Sequence, residues 1–292
     1  MENQNKNKKR NPACRFTITQ ELEIIQDYQN GNSLRTVGEK YNCSPSTVRN
    51  IIKAYGENIR TMSEARRNYL NYEIDESVFE IIDSQDKAYW LGVMYSDGYI
   101  NLTQTTKYFG ISVAEKDIDW LEKFRIFLQY SGEIKIYEQS VGYASGSNYA
   151  RLLIGNNKIT EDLIKLGVEV HKTKKIVSIP DIPYKDDFIR GYIDGDGSLR
   201  KDYPDLRICG NKSFLKTIAD YFNLPCRFYK DKSIYDLVFN RQASEYLEKR
   251  LYKDAKYYLD RKYSIAQRSF NSPLTLEEVR KNSEYQGKSL EL

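Results

Sequence analysis

The chain has 292 residues, room for about two domains, and its 40% hydrophobic and 29% charged residues are the balance of an ordinary globular protein. A net charge of +4, one histidine (His171) and four scattered cysteines (Cys14, Cys43, Cys209, Cys226) with no CxxC pair leave little from which to build a zinc site or a disulfide framework. No apolar run approaches the roughly 20 residues of a membrane span, and the N-terminal stretch lacks the apolar core of a secretory signal; a reduced intracellular setting, cytoplasmic or nucleoid in a bacterial or phage context, is expected, with no membrane partner.

Residues 1–15 are polar and basic and read as a disordered arm. Positive charge gathers at this end: residues 1–70 hold 12 Lys and Arg against 7 Asp and Glu, while the other 222 hold 33 against 34. A helical pattern begins after Thr17, with Leu22, Ile24, Ile25 and Tyr28 on one face, and stops at Asn30-Gly31-Asn32. Ser33 caps a second short helix with Leu34, Val37 and Tyr41 inward. Asn42-Cys43 makes a tight turn, and Ser44-Pro45 opens a third helix with a cap and a first-position proline. That helix buries Val48, Ile51 and Ile52 and leaves Ser46, Thr47, Arg49, Asn50 and Lys53 on its polar side. These side chains suit phosphates and base edges, and equally the solvated face of a small bundle. The segment GNSLRTVGEKYNCSPSTVRNIIKAYG resembles the helix-turn-helix of resolvase- and transposase-type DNA-binding domains, which places an all-α DNA-binding domain at 16–56. Residues 57–83, charged and without a clear buried stripe, read as a linker.

Two matching segments follow, YWLGVMYSDGYI and FIRGYIDGDGSL. Laid over each other, Gly92 matches Gly191, Ser96 matches Gly195, and Asp97-Gly98 matches Asp196-Gly197. Each reads as a helix (86–97 and 186–196) ending at Asp-Gly, with Gly98 and Gly197 as left-handed caps. A glycine inside a helix costs about 1 kcal/mol relative to alanine. Small residues four apart flatten one face, so the two helices are expected to pack on each other through Gly92, Ser96, Gly191 and Gly195. Their ends would then bring Asp97 and Asp196 together, where the helix dipole and mutual repulsion disfavour two carboxylates. A divalent cation relieves both, and Mg²⁺ suits a site with few protein ligands. After each Asp-Gly the pattern runs strand, strand, helix, strand, strand, helix. The fold class expected is α+β: two pseudo-twofold-related αββαββα halves, at 84–180 and 181–270, packed through their motif helices, preceded by the all-α domain and followed by a tail at 271–292.

WLGVMYSDG and IRGYIDGDG resemble the two signature motifs of the LAGLIDADG homing endonucleases in their single-chain form, over roughly residues 84–270. The resemblance implies a site-specific double-strand DNA endonuclease, with Asp97 and Asp196 as catalytic metal ligands for Mg²⁺ or another divalent cation such as Mn²⁺. The earlier motif acid is present as Asp194 but is Tyr95 in the first copy. By position, Glu115 and Asn211 would organise metal-bound water, and Lys172 and Lys262, with Lys174 close behind, would support transition-state charge. The resemblance also implies a monomer that binds double-stranded DNA over a long target site, through the polar faces of NLTQTTKY, KIYEQSVGYASGSNYARL, LRKDYPDLR and RFYKDKSIYDL. A non-cleaving DNA-binding regulator on the same scaffold and a maturase that binds intron RNA remain open beside it.

Overall fold

The computed structural model describes residues 16–61, 72–138, 146–168 and 178–284. The chain divides into two compact units, Met1–Tyr72 and Glu73–Leu292. The basic arm at 1–15, together with Lys172 and Lys174, lies outside the described residues. Among the described residues no helix is long and apolar enough to cross a membrane.

The first unit is built on three helices, α1 (Ile18–Gln29), α2 (Leu34–Lys40) and α3 (Pro45–Ala54). Thr17, Ser33 and Ser44 each cap a helix start by accepting the backbone N–H three positions on, which satisfies donors the first turn would otherwise leave open. The core holds Ile24, Ile25, Tyr28, Val37, Val48, Ile51 and Ile52. Leu22 is not in it: the side chain is 51% exposed. The inward stripe of α1 is Glu21, Ile24, Ile25 and Tyr28, the helical spacing of one face, and Leu22 lies a full residue step away from it. Glu21 is buried because its carboxylate accepts the Tyr55 hydroxyl at 2.7 Å. The turn between α2 and α3 is tight. Asn42 adopts φ +50°, and a Cβ on Gly38 would stand 2.6 Å from the Cys43 carbonyl oxygen. Beyond α3, Arg60 lies over the Tyr28 ring, 4.0 Å from its centroid, and donates to the Tyr28 and Gly31 carbonyls. The start of the expected linker therefore packs on the helices.

The second unit carries two copies of one arrangement. The first runs α4 (Gln85–Ser96), β1 (Gly98–Leu102), β2 (Lys107–Ala114), α5 (Ile118–Phe127), β3 (Lys135–Glu138), β4 (Asn148–Gly155) and α6 (Asn157–Lys165). The second runs α7 (Lys185–Asp196), β5 (Gly197–Leu199), β6 (Leu206–Gly210), α8 (Lys212–Phe222), β7 (Cys226–Asp231), β8 (Ile234–Phe239) and α9 (Arg241–Tyr252), with α10 (Asp260–Ala266) and α11 (Leu276–Glu284) appended. Each copy forms a four-stranded antiparallel sheet, in order β1-β2-β4-β3 and β5-β6-β8-β7. One strand face turns in: Phe109, Ile111, Ala150, Leu152 and Ile154 in the first sheet, Leu206, Ile208, Leu237 and Phe239 in the second. The motif helices are buried nearly all round, which explains why they show no polar stripe.

Two expectations change at the ends of this unit. Val78, Phe79 and Ile82 are buried in its core, so residues 73–83 belong to the second unit rather than to a linker. The tail at 271–292 contains α11, whose Val279 is fully buried and whose Arg280 donates to the Phe222 and Asn223 carbonyls at the end of α8.

Candidate active site

Helices α4 and α7 meet where their side chains vanish. A Cβ on Gly92 would stand 2.0 Å from the Phe188 carbonyl oxygen, and one on Gly191 would stand 2.0 Å from that of Tyr89. The two contacts are reciprocal, since 188 precedes 191 as 89 precedes 92, and reciprocity of this kind is the mark of a twofold relation. One turn on, a Cβ on Gly195 would fall 2.0 Å from Ser96 Oγ and 2.8 Å from Asp97 Oδ2. Ser96 and Gly195 are equivalent positions in contact with each other, so they sit on the pseudo-twofold axis. The next residue of each helix, Asp97 and Asp196, therefore flanks that axis.

The chain turns from helix to strand with nothing between. Gly197 is extended, at φ −101° and ψ 168°, and opens β5; Gly98 opens β1. Neither is the left-handed cap that the sequence suggests. Glycine is needed here for space: a Cβ would lie 2.6 Å from Met94 Cα at Gly98 and 2.7 Å from the Ile193 carbonyl oxygen at Gly197.

Around the two carboxylates, two side chains converge. Lys262 of α10 is 2% exposed, and its ammonium donates to the carbonyls of Ile193 at 2.6 Å, Asp194 at 2.7 Å and Gly197 at 2.6 Å. All three ammonium protons are thus committed to the end of α7, where the Ile193 carbonyl also accepts the Gly197 N–H. Lys262 holds the helix end that carries Asp196. Burial pulls its pKa down to about 8, against the opposing attraction of Asp194, Asp97 and Asp196. Tyr192 is the second. Burial, and then the charge of Asp196 with a smaller share from Asp97, pushes its phenol well above the ordinary tyrosine value. Both carboxylates therefore lie near both groups.

Asp194 lies beneath this end of the helix. It is buried, and accepts the Tyr89 hydroxyl at 2.8 Å, the Tyr252 hydroxyl at 2.7 Å and the Leu259 N–H at 2.9 Å; Tyr89 in turn accepts from Trp120 at 2.7 Å. Burial raises the Asp194 carboxyl above the usual carboxylate value, opposed by the nearby Lys262 charge and the two tyrosine bonds. Its counterpart Tyr95 donates to the Leu166 carbonyl at 2.5 Å. Both positions fasten a motif helix to the region just past the last helix of its own half, with different chemistry.

Glu115 and Asn211 follow β2 and β6, as expected, but they are not equivalent. Gly98 pairs with Ile111 and Gly197 with Ile208, so Asn211 corresponds to Ala114 and Glu115 to Lys212. Asn211 is engaged as the cap of α8, accepting Ser213 N–H at 2.8 Å, and Glu115 accepts from Asn148 at 3.0 Å. On α3, Ser46, Arg49, Asn50 and Lys53 are exposed and Thr47 is half-buried, with the Thr47 hydroxyl 2.9 Å from that of Ser44.

Each sheet turns a polar face outward. In the first, Ser112, Arg151 and Lys135 form one cross-strand row and Ala114, Tyr149 and Tyr137 the next; Tyr137 and Tyr149 stack at 5.5 Å, and Arg151 donates to the Tyr99 hydroxyl at 2.6 Å. In the second, Ser198, Arg207, Val238 and Arg227 form one row and Cys209, Asp236 and Tyr229 another. A carboxylate pair can hold a hard divalent cation. Among the described residues no three of His, Cys, Asp and Glu gather into a metal site, so an ion at Asp97 and Asp196 would complete its shell with water or substrate oxygens.

Residues 17–60 match the family described as homeodomain-like domain. No curated protein matches the sequence. Among solved structures the chain is similar to the homing endonuclease I-WcaI bound to its DNA recognition sequence, at 11% identity and a TM-score of 0.51, over 72% of this chain and 95% of that one. It is also similar to the LAGLIDADG meganuclease I-AabMI bound to uncleaved DNA, at 15% identity and a TM-score of 0.44, over 69% and 98%. A third is I-DmoI in complex with DNA and Ca, at 14% identity and a TM-score of 0.43, over 63% and 97%.

Proposed function

We propose, from a second unit with the two-motif LAGLIDADG fold and a first unit with a homeodomain-like helical fold, that the protein is a site-specific double-strand DNA endonuclease. The observation that carries this reading is the glycine seam, which sets Asp97 and Asp196 on either side of a pseudo-twofold axis between two sheets. Duplex DNA has the same symmetry, with one scissile bond to each side. Asp97 and Asp196 would hold Mg²⁺ or Mn²⁺, and a bound divalent ion supplies charge stabilisation at the phosphate and an activated water. The chain does the rest. Lys262 fixes the end of α7, the glycines keep the two carboxylates at one spacing, and the outward rows around Arg151, Lys135, Arg207 and Arg227 offer donors to phosphates and base edges in a major groove. Because both centres come from one chain, a monomer suffices for both strands. The exposed face of α3 adds a tethered second DNA contact.

The test selects bound duplexes from a random-sequence library in Ca²⁺, then adds Mg²⁺ and sequences the ends. Defined cuts on both strands are expected, lost in Asp97→Asn and in Asp196→Asn while binding persists. Enrichment of one sequence with no cuts would make the protein a DNA-binding regulator instead, and cleavage retained in both variants would remove these carboxylates from the site.

A further inference from the structure

The two halves differ beside their carboxylates. On α7, Tyr192 stands one turn before Asp196 and so on the same face; the equivalent residue of α4, 99 positions earlier, is Val93. The Tyr192 ring is 5% exposed and lies against Phe214, centroids 4.6 Å apart. Its hydroxyl donates to the Cys209 carbonyl at 3.0 Å. Gly197 pairs with Ile208, so Cys209 follows the strand partner of the residue after Asp196, and the hydroxyl bond lies beside the helix end that carries that carboxylate.

The space for this hydroxyl is built. A Cβ on Gly210 would stand 2.7 Å from it, and by strand register the first-half counterpart of Gly210 is Val113. A valine pair in one half thus answers a tyrosine–glycine pair in the other, a compensated exchange of volume that keeps the core filled. The second half gains a buried phenol at its carboxylate, and a valine supplies none at that position in the first.

We propose that the Tyr192 hydroxyl is a positioning residue for Asp196, and that through it the two centres differ in cation affinity and cut their strands at unequal rates. This rests on the nuclease reading above. The hydroxyl ties α7 to the Cys209 carbonyl of β6 one turn before Asp196 and so limits the movement of the backbone that carries that carboxylate, which matters for a site that must hold its ion in one geometry.

The experiment uses the full chain and its selected duplex, with each strand labelled separately, under single-turnover conditions in Mg²⁺. In Tyr192→Phe, which keeps the ring, one strand should be cut up to about tenfold more slowly, the upper end of what one neutral hydrogen bond contributes, with the other strand within about twofold and a nicked duplex accumulating. Gly210→Ala leaves the hydroxyl in the chain but takes its place in space, and should reproduce the same bias. Mn²⁺ binding to the complex with an uncleavable duplex, followed by electron paramagnetic resonance, should weaken at one site in both variants. Equal slowing of both strands, or unchanged strand ratio and unchanged Mn²⁺ binding, would overturn the proposal while leaving the nuclease intact. A wild-type chain that cuts neither strand overturns the nuclease reading and this role together.

Discussion

Three protons on Lys262 meet three carbonyls at the end of α7, so Lys262→Met takes a donor from each of these acceptors and should cost about 3 kcal/mol. The same lysine makes a pH prediction. Burial sets its folded pKa at about 8, while the unfolded chain keeps the ordinary, higher lysine value. Between the two the unfolded chain binds more protons, so this group makes stability rise with pH across that window. The gap in thermal midpoint between wild type and Lys262→Met should widen from about pH 8 to about pH 10; a constant gap would mean that Lys262 titrates as an exposed lysine does. That the helix ends bearing Asp97 and Asp196 meet could be read from the sequence because the same awkward segment occurs twice. The engagement of Lys262 could not, because it depends on where α10 returns, more than 60 residues after the helix it caps. Tyr192 carried a faint signal: an aromatic in one motif copy opposite a valine in the other marks a place where the halves diverge.

Among elements, the crossing of α4 and α7 is the least tolerant. Gly191→Ala brings a methyl to within 2.0 Å of the Tyr89 carbonyl oxygen, a backbone atom that cannot rotate away. Overpacking of about 3 kcal/mol, less the roughly 1 kcal/mol that alanine gains in a helix, leaves a net loss near 2 kcal/mol. A lower urea midpoint with an unchanged slope would register it, and an unchanged midpoint would show that the helices can separate freely. The helices and strands were legible from their caps and their periods, and the small-residue spacing disclosed the seam. Strand order was not, because each sheet places its fourth strand between the second and third, a pairing no local pattern encodes. The register mismatch between Glu115 and Asn211 came from the same gap: it follows from pairing, not from spacing. Leu22 misled for a simpler reason, since Glu21, one position earlier, found a partner in the half-buried Tyr55 and took the inward place.

For the whole molecule, the division at Tyr72 and Glu73 sets where truncation is tolerated. Residues 73–292 should unfold at the wild-type midpoint, whereas starting at residue 84 removes Val78, Phe79 and Ile82 from the core and should lower stability by about 5 kcal/mol at 1.5–3 kcal/mol per side chain. Loss of the first unit should also flatten the salt dependence of DNA binding, because each phosphate contact given up removes roughly 0.9 from the logarithmic slope; an unchanged slope would place that unit off the DNA. The seam has a further consequence, in time rather than in space. Each sheet pairs strands that are near in sequence, but α4 and α7 join residues 99 apart, and loops of that length close late because the chain entropy is lost before the contact is gained. The halves should therefore form first and the helices dock last. In stopped-flow measurements Gly191→Ala would speed unfolding and leave the folding rate almost untouched, so the joint that aligns the two carboxylates is also the first to let go.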